Sequence, residues 1–253
     1  MFSKPNSIFL TGMVAAIAST SVLTAISTGS VIVSGTSSST GFTVPTANDV
    51  LYHEPTLGGA TGSYSASIAN PPNATEASWN GSGGYRSDIS GLGYLFDGIA
   101  PSNQFGNNWF GVAGGTGSSA TVVTVPLQTA SALDSIATYT VWGDSGRVNQ
   151  SYSVSYSTDG GSTYTTLDSS VAYTYSLATT PAATEVVLTD SSGGALAGGA
   201  IITDLQFTFG PQQNNGVAYS EIAAYAPVPE PSTLSVLGVG AAGLLLLLRR
   251  RTA

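Results

Sequence analysis

Reactive side chains are scarce in this chain of 253 residues. It has no cysteine and a single histidine, His53, so thiol chemistry is absent and a zinc site would hold only one imidazole. A Ser-His-Asp triad would have to be built around His53, which stands beside Glu54 and Pro55. No Gly-x-Ser-x-Gly turn presents a serine nucleophile to it. What remains is carboxylate, with 14 Asp plus Glu against 6 Lys plus Arg. Two carboxylates can hydrolyse a glycosidic bond, but no spacing selects a pair. No catalytic residue is assigned and the chain reads as a non-enzyme; a secreted polysaccharide hydrolase with an unrecognised carboxylate site is the alternative.

Binding chemistry is better represented. Trp79 and Trp109 lie in stretches rich in Gly and Asn, where an aromatic face can stack on a sugar ring at a loop tip. Trp142 sits in a strongly patterned segment and reads as core. Residues 30–226 contain thirteen acidic side chains against two basic ones, Arg86 and Arg147. Such a surface repels phosphate backbones and excludes nucleic acid as a partner. It could attract calcium instead. Without cysteine there is no disulfide stapling, so stability must come from a packed core.

The segments that must position these groups read as strands. Residues 121–127 carry Val122, Val123 and Val125, and 136–142 alternates with apolar groups on both faces, as a central strand does. Residues 151–157 set Tyr152, Val154 and Tyr156 against serines, followed by Asp159-Gly160 and a return over 163–167, which predicts a hairpin. Further strands are predicted over 184–189, 201–209 and 217–225. No internal stretch has a sustained helical period, so the expected fold class is an all-β sandwich. Before it, 28–45 reads as a Ser/Thr-rich lead-in to a domain spanning 46–226.

Both ends carry addresses. Lys4 and an apolar stretch over 8–18, followed by small residues, predict a signal peptide over 1–27. At the other end Val228, Pro229, Glu230 and Pro231 precede an uncharged apolar run over 234–248, then Arg249, Arg250 and Arg251. As a helix that run rises about 22 Å, a short span for a bilayer. The arginines act as a cytoplasmic stop and place everything before the run outside. Motif, apolar segment and cationic end in this order resemble the PEP-CTERM sorting tail of exported bacterial proteins. The resemblance implies transient tethering in the inner membrane through 227–253. It also implies processing by an exosortase-type enzyme and delivery to the cell surface or exopolysaccharide matrix.

The order of the strands resembles the galactose-binding-like jelly roll of discoidin-type and carbohydrate-binding domains. The matching features are residues 136–142, the 152–157 strand with its Asp-Gly hairpin, 201–209 and the closing 221–225, with Phe96-Asp97-Gly98 as an early Asp-Gly loop. That resemblance implies a calcium site held by Asp97 and Glu221, with the remaining oxygens supplied by backbone carbonyls. Residues 157–164 also resemble the Asp-box hairpin of sialidases. It occurs once, where a propeller would repeat it, and the two arginines make no cluster for a substrate carboxylate. Asp159 is read as a turn residue. Taken together these features describe a structural or adhesive module that binds glycans weakly.

Overall fold

The computed structural model describes residues 30–51, 67–69, 95–100, 110–112, 120–210 and 212–228. The 1–27 segment expected to be a signal peptide, His53, Trp79, Trp109 and the tail beyond Val228 lie outside these residues. Ten strands are described: β1 Val31–Ser38, β2 Ser67–Ala69, β3 Phe110–Val112, β4 Thr121–Ser131, β5 Ser135–Trp142, β6 Gln150–Ser157, β7 Thr165–Tyr173, β8 Ala182–Asp190, β9 Ile202–Phe209 and β10 Val217–Tyr225. They form two five-stranded antiparallel sheets, β1-β8-β5-β10-β3 and β2-β4-β9-β6-β7. The all-β sandwich expected from the alternating segments is the observed architecture.

Period-2 alternation supplies the core. β4 turns Val123, Val125 and Leu127 inward, β6 contributes Tyr152 and Val154, and β9 contributes Leu205, Phe207 and Phe209. From the facing sheet come Ile136, Val186, Leu188, Val217, Tyr219, Ile222 and Ala224. The aromatic members meet across the gap: Phe209 and Tyr219 have ring centroids 4.8 Å apart, tilted at 57°, a geometry that ring quadrupoles favour. At one end of the core a polar network joins the sheets. Gln150 Nε2 donates to Thr138 O and Thr184 Oγ1 (both 3.0 Å), and Thr138 Oγ1 donates to Gln150 Oε1 (2.5 Å). These groups are buried and mutually satisfied, which fixes how one sheet registers on the other.

The first sheet is unusual in being covered on its outer face as well. β10 is buried along nearly its whole length and β5 over six consecutive residues. Small side chains, Ala137 and Ala223, leave room on that outer face for Phe42, Val44 and Ala100 to pack beside Tyr139. Phe42, Val44 and Ala100 form this cover, while Leu51, Leu95 and Phe96 of the same two segments pack into the intersheet core.

Two sequence expectations need correction. The 28–45 segment is not a lead-in ahead of the sandwich, because Val31–Ser38 pairs with β8 over eight residues. Its serines occupy an edge strand with partial exposure, which hid the alternation of Val31 and Val33. Trp142 is not core: it is partly exposed at the edge of a small cluster of Val148, Tyr175 and Ala182, with the Arg147 guanidinium 5.8 Å from its ring centroid. The predicted hairpin does form. Gly160 and Gly161 adopt φ of 70° and 80° at its tip, the left-handed region glycine enters without steric cost. Asp159 accepts from Thr163 N, Thr163 Oγ1 and Ser157 Oγ, and these hydrogen bonds pull its carboxyl down to about 2. It is a turn residue.

The sheets are also joined at their edges. The Tyr173 ring of β7 lies over Gly35 of β1, and its hydroxyl meets Ser37 Oγ at 3.0 Å. A Cβ on residue 35 would stand 2.0 Å from Tyr173 Cδ2. Gly35→Ala must therefore displace the ring and is expected to destabilise the domain by about 1–3 kcal/mol. Thermal or denaturant unfolding of the isolated variant against wild type measures this.

Candidate functional site

Glu221 lies in the middle of β10, with β5 along one side. Between Tyr219 and Glu221 the register slips: Tyr219 opposes Thr140 while Glu221 opposes Tyr139, leaving Ser220 as an extra residue. Strict alternation would carry Glu221 into the intersheet core with Val217 and Tyr219. The bulge reverses the parity, so that Ile222 and Ala224 enter the core and Glu221 turns to the outer face. There it forms a row with Tyr139 of β5 and Glu185 of β8, which are successive cross-strand partners.

The 95–100 segment closes over Glu221. Gly98, at φ 74°, makes a bend that aims two successive N–H groups at one oxygen. Gly98 N donates to Glu221 Oε2 at 2.9 Å and Ile99 N at 3.2 Å. Asp97 Oδ1 accepts from Ile99 N at 3.0 Å, so the same turn holds both carboxylates. The structure thus brings together Asp97 and Glu221, which are 124 positions apart by number in the chain. Glu221 is fully buried and Asp97 nearly so.

This burial has electrostatic consequences. Loss of solvent pushes the Asp97 carboxyl up to about 6, against the opposing pull of its hydrogen bonds. Glu221 is driven well above the usual carboxylate range, first by burial and then by the negative charges of Asp97 and Asp49. Burial likewise raises Tyr139, with Tyr225 and Glu185 adding to the shift. Glu221 Oε1 accepts from no N–H or hydroxyl donor although it is sealed from solvent, and in metal-free protein a proton shared with the adjacent Asp97 carboxyl is its available partner. Two carboxylates in one pocket, one with an orphaned oxygen, suit a hard cation with oxygen ligands. Among the described residues no three His, Asp or Glu side chains form a ready cage, so further ligands would have to be backbone carbonyls or water.

Three residues around the site carried no sequence signal. Asp49 Oδ1 accepts from Leu51 N (2.9 Å) and Ala224 N (3.0 Å), tying the cover segment to the last strand. Tyr139 and Tyr225 line the same face, and alternation alone gave them no role. At the opposite end of β10, side chains of 212–214 stitch two loops together. Gln213 Oε1 accepts from Val148 N and Asn149 N, each at 3.1 Å, and Arg147 Nη1 donates to Asn214 O at 3.0 Å.

β10 ends at Tyr225, and Val228 is 69 % exposed as the chain leaves the domain. Residues 227–251 match the PEP-CTERM protein-sorting motif. The PEP-CTERM tail therefore starts two residues after the last strand. Pro229, Glu230, Pro231, the 234–248 run and Arg249, Arg250 and Arg251 belong to that match but lie outside the described residues. Among the described residues no helix is long and apolar enough to cross a membrane.

No curated protein matches the chain. Solved structures similar to it include a family 32 carbohydrate-binding module of Clostridium perfringens NanJ in complex with galactose (13 % identity, TM-score 0.40, covering 64 % of this chain and 92 % of that one). Another is a chitosan-binding module from a chitosanase/glucanase of Paenibacillus sp. IK-5 (13 %, 0.40, 64 % and 95 %). A third is an F5/8 type C domain from Bacteroides fragilis (12 %, 0.39, 64 % and 91 %). The sandwich itself is assigned from its own two sheets.

The site makes a pH-dependent prediction for metal-free protein. Asp97 has a folded value of about 6 against an ordinary 3.8, so the folded state binds the proton more tightly than the unfolded chain. Its contribution is fully present below 3.8 and is lost as pH rises through about 6. In chelator, denaturant midpoints should fall between pH 4 and pH 7, with a shallower fall in Glu221→Gln, because Glu221 is itself held well above the usual carboxylate range and adds to the fall, whereas the amide has no proton to release. Asp159 acts in the opposite sense, but only between about 2 and 3.8.

Proposed function

We propose that this chain is an exported protein whose sandwich is held at the inner membrane by its PEP-CTERM tail. An exosortase-type enzyme then processes it for delivery to the cell surface or the exopolysaccharide matrix. The observation that carries this reading is the sorting motif joined directly to the last strand of a folded, acidic domain. On the outside the sandwich serves as a structural or adhesive module that contacts glycans weakly, with Trp79 and Trp109 of the Gly- and Asn-rich stretches as the stacking groups. The role is not catalytic. The burial of Glu221 supports that reading, because a polysaccharide has no access to the Asp97 and Glu221 pair.

Calcium completes the proposal. Asp97 and Glu221 would hold it, and the ion would supply charge neutralisation and ligands that tie the 95–100 turn to β10. The orphaned Glu221 Oε1 supports this role. At a concentration about a hundredfold above its Kd, calcium should stabilise the domain by about 2.7 kcal/mol. Glu221→Gln should abolish the gain while leaving the fold intact by circular dichroism; an unchanged calcium shift in that variant would sink the site.

Sorting is tested by mass spectrometry of protein recovered from the cell exterior. The recovered chain should lack the segment beyond the Pro229-Glu230-Pro231 region. Recovery of the intact C-terminus, Arg249 to Arg251 included, would count against tail processing. Binding is tested on a glycan array, where weak signals should be lost in Trp109→Ala.

A further inference from the structure

The end of the sandwich from which the tail departs is tied down more heavily than a strand end requires. β3 pairs with β10 only over Val217 to Tyr219. Beyond it, the freed side of β10 is taken by the 48–50 segment. Val50 N donates to Ala224 O (2.8 Å), Ala224 N donates to Asp49 Oδ1 (3.0 Å), and Ala226 N donates to Asn48 O (2.9 Å). On the other side Asp134 N donates to Tyr225 O at 2.8 Å. Backbone from both sides therefore grips the chain as far as Ala226. Val228, two residues on, is already out in solvent.

The spacing is tight. From Ala226 to Pro229 an extended chain covers about 10 Å, and from Ala226 to the first residue of the apolar run about 25–30 Å at most. An enzyme that takes the Pro-Glu-Pro region in extended form cannot draw more slack from the domain without breaking the clamp. We infer that the tail-proximal end of the folded sandwich is a steric stop for the processing enzyme, which must work against it because the clamp leaves no slack. That end is built from Asn48, the turn at Asp134 and the 191–194 turn after β8. The clamp sets how closely the enzyme must approach it. The register places these elements together: Tyr225 opposes Ser135, and Ser135 opposes Thr189. Asn48, Asp134 and the 191–194 turn are exposed there, so the enzyme meets a polar surface with a single carboxylate, Asp134. This inference rests on the sorting reading above.

The test is the half-time of tail removal from the full chain in exporting cells, followed by pulse labelling. Inserting a Gly/Ser spacer of about six residues after Ala226 adds about 13 Å of reach, outside every hydrogen bond just described. Relief of the close approach should shorten the half-time by about threefold or more. Equal half-times for wild type and spacer variant would overturn the inference. Resistance of the spacer variant to limited proteolysis up to residue 226 must match wild type, so that faster removal is not loss of fold. A second variant, Asp49→Ala, loosens the clamp without adding length and should also accelerate removal. Wild-type protein that keeps its tail indefinitely would defeat the sorting reading itself, an outcome separate from equal half-times.

Discussion

A carboxylate enclosed on a central strand dominates this domain. Glu221 has no solvent, and charge without solvent is strongly unfavourable unless it is neutralised or hydrogen-bonded. The surrounding structure is organised to meet that demand. A bulge at Ser220 turns the side chain away from the apolar core, a left-handed bend at Gly98 aims the N–H groups of Gly98 and Ile99 at it, and Phe42, Val44 and Ala100 cover the face beside it. One oxygen is still left without an N–H or hydroxyl donor. This deficit makes the pocket a candidate ion site, whereas a merely acidic surface would not.

The same arrangement explains how a cysteine-free chain keeps its layers together. Most sandwiches bury one face of each sheet, but here the first sheet is covered twice, by the second sheet inside and by loops outside. The inner contact is apolar and aromatic except at one end, where Gln150, Thr138 and Thr184 cross-link the sheets through hydrogen bonds. A network of this kind tolerates only one sliding position of the sheets. Tyr173 over Gly35 sets the third side. Packing, buried polar contacts and one steric fit thus do together what disulfides do in many exported proteins.

Much of this was legible in the sequence, and the gaps have physical causes. The strands from residue 121 onward announced themselves because alternating apolar and polar residues reflect a half-buried pleat, and the 217–225 strand was placed to the residue. β1 was not seen: an edge strand with five Ser, Thr or Gly residues among eight gives little apolar contrast. Asp97 and Glu221 were paired through resemblance, since no local pattern predicts that a turn and a distant strand will meet. The bulge that makes the pairing possible was invisible, because a one-residue slip changes pairing and not composition. Asp49 lacked any signal for the same reason, its role being to hold the backbone of a strand 175 residues away. Trp142 shows the opposite error, an apolar residue in a good strand that sits at the rim.

The place of the final strand in the sheet has a mechanical meaning. β10 is flanked along its length, by β5 on one side and by β3 and the 48–50 segment on the other. The chain leaves the domain directly from the strand end, so tension applied through the tail runs along the strand axis, across hydrogen bonds that lie perpendicular to it. Bonds loaded in that direction share the force and yield together; an edge strand peeled from its end loses them one at a time. A pull applied through the tail would therefore load these hydrogen bonds in shear.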